Sequence, residues 1–263
     1  MSGTNFLQSW LLTGLFVCFL TAPILLPVLM SFSDSAILAF PPNGFSLRWY
    51  EKILGDGEFL ASLWLSVKLG LMTTLISLLF GTAAALGLRR MPGVYGSPVR
   101  ILLMSPMVMP TLVTGIALLQ FFNRMNSNAA FTHLLIGHVV VTVPYVVRTV
   151  TASIQQMVPG IEDAARTLGA NPLSCFWYIT LPQIKPGILV GGIFVFILSF
   201  DNYPVSMWLA DAQNMPLPLT AYRYIQRFFD PTVAAISTVM IVISLIAVVA
   251  MERVAGLQNA WSR

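Results

Sequence analysis

Three ionisable side chains, Lys68, Arg148 and Asp201, lie within long apolar stretches of this 263-residue chain. A charge at the centre of a membrane costs a few kcal/mol unless it is paired or hydrated, so such residues mark ion pairs or solute pathways. At about 1.5 Å per helical residue, Lys68 and Asp201 lie about 10 and 12 Å from the same membrane face, whereas Arg148 lies nearer the opposite face. Two interpretations of Asp201 stay open: it lines a pathway and attracts a cationic solute, or it forms an intramembrane ion pair with Lys68.

Polar residues and prolines interrupt two of the apolar stretches. Asp201 is followed by Asn202, Tyr203 and a proline, which predicts a helix that opens where it lines a cavity. Pro106 and Pro110 lie about one turn apart in another stretch, where each removes a backbone donor and should bend or partly unwind the helix. We therefore assign these residues to a candidate translocation pathway; ordinary proline kinks of membrane helices are the alternative.

The sequence indicates neither a catalytic site nor a metal site. His133 and His138 do not share a helix face, so they are a poor metal pair. Metalloprotease, nucleophile-elbow and glycine-rich phosphate-binding motifs are all missing from the sequence. We therefore expect a chain that is not an enzyme and binds no metal or cofactor, so that the energy for any active process comes from a partner.

A polar segment at about residues 158–185 separates two apolar stretches and carries its own helix signals. Glu162 and Asp163 follow a Pro-Gly pair and place negative charge in the first turn of a helix. Gly169 is placed to end that helix in a left-handed turn. Asn171 followed by a proline then predicts a second short helix, ending near residues 181–182. Two short helices at a sharp angle form a knob that is suited to docking in the water phase.

This segment resembles the coupling loop of ABC importer permeases, whose pattern is Glu-Ala-Ala, three residues, Gly, nine residues, Ile, one residue, Leu-Pro. The residues that match this spacing are Asp163, Ala164, Ala165, Gly169, Ile179, Leu181 and Pro182. Aspartate replaces the usual glutamate, and Glu162 stands just before it. The resemblance implies that these residues couple the chain to an ATPase subunit, with Glu162 included in the set.

The resemblance also implies partners and a solute class. Segments around Trp49, Met107, Phe200 and Asp230 look like second-permease subunits of spermidine/putrescine-type importers. Such importers combine two different permeases, two ATPase subunits that hold ATP and Mg, and a periplasmic solute-binding protein. A polyamine is the first expected solute, but Thr111 and Asn202 stand where relatives often carry acids. An amino-phosphonate, an opine-like compound and ferric iron therefore stay open.

The composition and the apolar stretches predict the elements that position these residues. Hydrophobic residues form 57% of the chain and charged residues 9%, as expected for an integral membrane protein rather than a soluble domain. Apolar stretches of about twenty residues predict an all-α protein with six transmembrane helices. Their expected ranges are about 10–30, 61–88, 101–122, 133–157, 186–209 and 232–251, forming one permease domain over residues 1–263. An ion-coupled secondary transporter is the alternative, but it leaves the coupling loop unexplained.

Charge placement predicts the orientation in the membrane. Arg89 and Arg90 directly follow the second predicted span, and basic residues are somewhat more frequent on that side. We therefore expect a multi-pass protein of the bacterial inner membrane with both termini and the coupling loop in the cytoplasm. The basic residues are scattered rather than clustered, so no nucleic-acid partner is indicated.

Overall fold

The computed structural model describes residues 3–228 and 230–255, and within them the chain is helical with no strand. Both termini, for which we expect a cytoplasmic location, include residues outside this described part. The helices are α1 (Gly3–Met30), α2 (Arg48–Leu54), α3 (Gly57–Arg90), α4 (Gly93–Val108), α5 (Thr111–Arg124), α6 (Ala130–Gln155), α7 (Ile161–Thr167), α8 (Pro172–Cys175), α9 (Leu181–Phe200), α10 (Tyr203–Leu209), α11 (Leu217–Arg227) and α12 (Thr232–Ala255).

Five helical segments are long and apolar enough to cross a membrane, and a sixth candidate is a bent pair. The straight candidates are Ser9–Met30, Gly57–Arg90, Ala130–Gln155, Pro172–Phe200 and Thr232–Ala250. The bent pair is α4 with α5, and the chain bends by 103° between them. The all-helical membrane fold is therefore confirmed, with six spans when the bent pair counts as one.

The fifth span differs from its expected range of 186–209. A π-helical turn at Phe176–Thr180 joins α8 directly to α9, so the helix begins at Pro172 and reaches Phe200 without ending near residues 181–182. The expectation of a separate second coupling helix was wrong. The physical reason is that Pro182 cannot make an α-helical hydrogen bond, and the wider turn before it lets the helix continue.

The described residues divide into two compact units, whereas the expectation of a single permease domain stays a prediction. One unit holds residues up to 61 together with 220–243. Within it, Trp49 Nε1 donates to the Ser33 carbonyl at 2.7 Å, and Lys52 pairs with Asp230 at 2.9 Å. These contacts fix α2 to the loop that precedes it and to the segment before α12.

The second unit holds residues 62–219 and the segment after 243, and its centre is the packing of α6 against α9. Gly187 and Gly191 make this contact close: a Cβ on Gly187 would lie 2.5 Å from the Thr149 carbonyl oxygen, and one on Gly191 would lie 2.7 Å from Thr149 Oγ1. These small residues therefore serve packing within the chain.

Candidate functional site

The coupling loop begins with α7, a short helix bounded by two left-handed glycines. Gly160 precedes the helix with φ +75°, and Gly169 follows it with φ +90°. Residues with a Cβ adopt such angles at a cost, so the glycines set where the helix begins and ends. Glu162 and Asp163 lie in the first turn, where carboxylates stabilise the positive end of the helix dipole.

Glu162 points into the chain rather than into solvent, since its side chain is only 17% exposed. Its Oε1 accepts hydrogen bonds from Arg89 Nη1 at 2.8 Å and from Thr180 Oγ1 at 2.6 Å. Burial opposes ionisation, but these hydrogen bonds and the Arg89 charge outweigh it and hold the pKa of Glu162 below its ordinary value. Glu162 thereby joins the end of α3, the coupling helix α7 and the π-helical turn.

Asp163 points the other way, with a side chain that is 83% exposed. Its closest cation is Arg166 on the same helix, at 3.9 Å, and this is a weak surface pair. The two adjacent carboxylates therefore have separate environments: Glu162 is held inside the chain, and Asp163 is open to another protein.

The loop also carries an apolar surface that the sequence pattern does not single out. Asn171 Oδ1 accepts from the Ser174 amide at 2.7 Å and so caps α8, as the sequence predicts. Leu168 is 90% exposed, and its neighbours on the knob are also open to solvent: they are Leu173, Trp177 and Tyr178. Of the matched motif residues, Ala164 and Pro182 are exposed, and Ala165, Ile179 and Leu181 are partly exposed. The helices that carry this surface are too short to show an apolar repeat in the sequence, so the surface emerges only in the folded chain.

The two predicted interruptions lie on helices that pack together. Pro110 stands between α4 and α5 at the 103° bend, and its carbonyl accepts from the Val113 amide at 2.9 Å to start α5. At the other interruption α9 ends before Asp201, and α10 begins after Asn202. Helix α5 lies against α10, where a Cβ on Gly115 would lie 3.0 Å from Trp208 Cδ1.

Asp201 and Asn202 have different roles at the break. Asn202 is buried, and its Oδ1 accepts from the Val205 amide at 3.1 Å, so it caps α10. Asp201 is exposed on the surface of the chain. Tyr203, partly exposed, donates from its hydroxyl to Met207 Sδ at 3.3 Å. Asp201 is thus the exposed carboxylate at the break, whereas Asn202 holds the backbone.

His138 bridges this break, a role that the sequence pattern does not reveal. Its ring lies fully buried on α6, with Nδ1 2.8 Å from Ser199 Oγ and Nε2 3.1 Å from Ser206 Oγ. Ser199 precedes the break and Ser206 follows it, so one imidazole connects both helices. A histidine within an apolar helix is the one signal in the sequence, because the partners of His138 lie far along the chain.

The possible ion pair between Lys68 and Asp201 is not formed. Within residues 3–228 and 230–255, the side chains of Lys68 and Asp201 make no ion pair with each other. Instead, the Lys68 ammonium lies over the ring of Phe131, 4.7 Å from its centroid. A cation on an aromatic face is stabilised without a carboxylate, which explains why Lys68 does not need Asp201.

The histidines are engaged separately. His133 Nε2 lies 2.8 Å from Ser127 Oγ, and its ring stacks on Phe122 at 4.0 Å between centroids. No group of three metal-ligating side chains occurs among the residues that the structure describes.

In sequence, the chain is similar to known transport permeases. Residues 77–257 match the family described as binding-protein-dependent transport system inner membrane component. The putrescine transport system permease protein PotI of Escherichia coli (strain K12) is 29% identical over 230 residues, which cover 85% of this chain and 82% of that protein. The spermidine/putrescine transport system permease protein PotC of the same strain is 28% identical over 238 residues, covering 90% and 89%. The molybdenum transport system permease protein ModB of Mycobacterium bovis is 30% identical over 201 residues, covering 71% and 76%.

In structure, the chain is similar to membrane subunits of solved transporters. A bacterial alginate ABC transporter in complex with its alginate pentasaccharide-bound periplasmic protein gives a TM-score of 0.74 at 14% identity, over 95% of each chain. An amino acid ABC transporter gives 0.63 at 21% identity, over 80% of this chain and 99% of that one. At these identities the likeness concerns the fold alone.

Proposed function

The chain belongs to the family of binding-protein-dependent transport system inner membrane components, and from that membership we propose its coupling to an ATPase subunit, its part in the translocation pathway and its solute. It is a multi-pass inner-membrane permease subunit of an ABC importer. The coupling loop at about 158–185 faces the cytoplasm and docks on an ATPase subunit. Two such subunits supply ATP and Mg, while this chain binds no cofactor and carries out no catalysis of its own.

The observation that carries the coupling role is the opposite placement of Glu162 and Asp163. Asp163 and the apolar side chains at 168, 173, 177 and 178 form one exposed surface on the loop, which we call the knob surface. Glu162 is fastened to Arg89 and Thr180 behind that surface. A force on the knob surface is therefore transmitted by these hydrogen bonds to the end of α3 and to the π-helical turn of the fifth span, and does not depend on a flexible loop.

The pathway role rests on the break between α9 and α10. This chain supplies half of the conduit, and a second, different permease subunit supplies the other half. Asp201 lies exposed at the break, with Tyr203 beside it. Pro106 lies in the last turn of α4, and the bend at Pro110 leads into the helix α5 that packs against α10. An interrupted membrane helix is tolerated where it borders a cavity, which fits a conduit at this position.

A polyamine is the proposed solute, delivered by a periplasmic binding protein. An exposed carboxylate at mid-membrane depth attracts cations, and the relatives named above include putrescine and spermidine/putrescine permeases. Thr111 and Asn202 are uncharged, so Asp201 is the acid that this chain offers at the break. Amino-phosphonates, opine-like compounds and ferric iron are the competing solutes.

The test is ATPase stimulation of the purified complex in proteoliposomes. Binding protein loaded with putrescine or spermidine is expected to raise ATP hydrolysis several-fold, and binding protein loaded with a competing solute is not. A cysteine at Leu168, in a background with Cys18 and Cys175 changed to serine, reports the loop's location by impermeant thiol labelling. Labelling from the periplasmic side of intact cells would overturn the coupling role. Stimulation of ATP hydrolysis only by binding protein loaded with a competing solute would overturn the assignment of a polyamine as the solute.

A further inference from the structure

We propose that a cleft between α4 and α6 binds the phosphate of an anionic phospholipid from the cytoplasmic leaflet. The cleft has a volume of about 300 Å³ and is lined by Leu88, Arg100, Met104, Val147, Arg148, Thr151, Ala152 and Gln155. Two arginines face it, and no carboxylate lines it. The inference rests on the proposed orientation of the coupling loop, which places this cleft on the cytoplasmic side.

The charges in the cleft lack a counter-charge among the residues that the structure describes. Throughout the described ranges 3–228 and 230–255, neither Arg100 nor Arg148 makes an ion pair or a hydrogen bond. Both residues are exposed on the surface of their helices. An unpaired guanidinium below the membrane surface is costly, so an external anion at this position stabilises the chain.

The two arginines lie at similar distances from the ends of their helices. Helix α4 begins at Gly93 and α6 ends at Gln155, so each arginine lies about two turns, or about 10 Å, from the inner end of its helix. Helix α6 is about 39 Å long and exceeds the 30 Å hydrocarbon layer by roughly 4–5 Å at each end. The Arg148 Cα atom therefore lies roughly 5–6 Å inside the hydrocarbon boundary, and its long side chain reaches back to the phosphate level beside Arg100, which lines the same cleft.

The remaining lining fits a lipid rather than a soluble anion. Thr151 and Gln155 follow Arg148 on the same face of α6 and offer a hydroxyl and an amide to phosphate oxygens. Leu88, Met104 and Val147 provide an apolar wall beside the polar end. A charged head next to an apolar wall is the chemistry of a phospholipid, and basic pockets between membrane helices on the cytoplasmic side bind anionic head groups.

The first measurement is native mass spectrometry of the purified full complex, with phosphatidylglycerol and phosphatidylcholine supplied in equal amounts. Each basic residue near anionic head groups contributes about 1 kcal/mol, so the Arg100→Gln, Arg148→Gln double variant should lose about thirty-fold in preference for phosphatidylglycerol, about 2 kcal/mol at 1.4 kcal/mol per tenfold. Arg253→Gln, a change to an exposed arginine near the end of α12, should retain the wild-type preference.

The second measurement separates lipid from other anions and from a failure of coupling. Wild-type complex in phosphatidylcholine nanodiscs is assayed for thermal stability with added phosphatidylglycerol or with inorganic phosphate. If phosphatidylglycerol stabilises the wild-type complex but not the double variant, the result supports lipid binding in the cleft. Equal stabilisation by inorganic phosphate, or a double variant that keeps the wild-type lipid preference, would overturn it. Neither readout needs transport, so a failed solute assay leaves this result interpretable.

Discussion

Arg89 Nη1 lies 2.8 Å from Glu162 Oε1, and this contact joins the end of the second membrane span to the coupling helix 73 residues later in the chain. Thr180 completes the junction from the opposite side. The arrangement makes the coupling loop a fixed part of the helical unit, because three elements share one carboxylate.

Removing this carboxylate should uncouple ATP hydrolysis from import. Glu162→Ala leaves Arg89 and Thr180 without their acceptor, and we expect import to fall about tenfold, equivalent to ~1.4 kcal/mol. A double-mutant cycle with Arg89→Ala should give a coupling energy of about 1 kcal/mol, reduced by the partial exposure of Arg89. Additive effects of the two changes would show that the contact between Glu162 and Arg89 contributes no interaction energy to import.

The same junction predicts a pH dependence. The pKa of Glu162 is lowered from its ordinary value of 4.5, so its stabilising effect is complete above that value and is lost as the pH falls through the lowered pKa. The difference in thermal stability between the wild-type complex and Glu162→Gln should stay constant from about pH 8 to about pH 5 and shrink only below. A difference that already declines between about pH 7 and pH 6 would contradict this assignment.

Asp163 and the knob surface should affect ATPase binding without affecting the fold. Asp163→Lys and Tyr178→Ala change exposed side chains, so the permease should keep its thermal stability while co-purification of the ATPase subunit falls severalfold. Leu79→Ala, an exposed change on the membrane-spanning part of α3, is the matched control. If both variants co-purify the ATPase subunit at the wild-type level, the knob surface is not part of the interface with that subunit.

Asp201 should act on the solute and not on Lys68. We expect Asp201→Asn to lower polyamine import about tenfold, on the scale of one charge-assisted hydrogen bond, while Lys68→Met stays near wild type. Because Lys68 lies over Phe131, the Lys68→Asp, Asp201→Lys double variant should not restore import. Restoration would show that the two residues form a structural pair during transport.

His138 should hold the break in the fifth span. His138→Leu leaves the buried hydroxyls of Ser199 and Ser206 without their partner, at a cost of about 1–3 kcal/mol. The complex should inactivate at lower temperature and show a raised KM for loaded binding protein, and His138→Asn should restore part of both. A leucine variant that matches wild type in both measurements would exclude this role.

The sequence predicts the local features of the site because their causes are local. Gly169 marks the end of α7 since a left-handed residue is needed there, and Asn171 caps α8 through an amide only three residues away. The interruptions at Pro110 and Asp201 likewise follow from proline and polar residues in apolar helices.

The features that the sequence does not predict depend on distant partners. Glu162 turns inward because Arg89 lies 73 residues earlier, and His138 reaches Ser199 and Ser206 across 61 and 68 residues. The span that extends from Pro172 reflects a π-helical turn, which arises from how the helix accommodates Pro182 rather than from hydrophobic periodicity.

That uninterrupted helix has a mechanical consequence. Its 29 residues from Pro172 to Phe200 form a rod of about 43 Å, with the proposed coupling loop at one end and Asp201 just beyond the other. A tilt of about 10° at the loop end displaces the far tip by about 7 Å. If the coupling loop docks on an ATPase subunit as we propose, this leverage amplifies small rotations of the loop into larger displacements at Asp201.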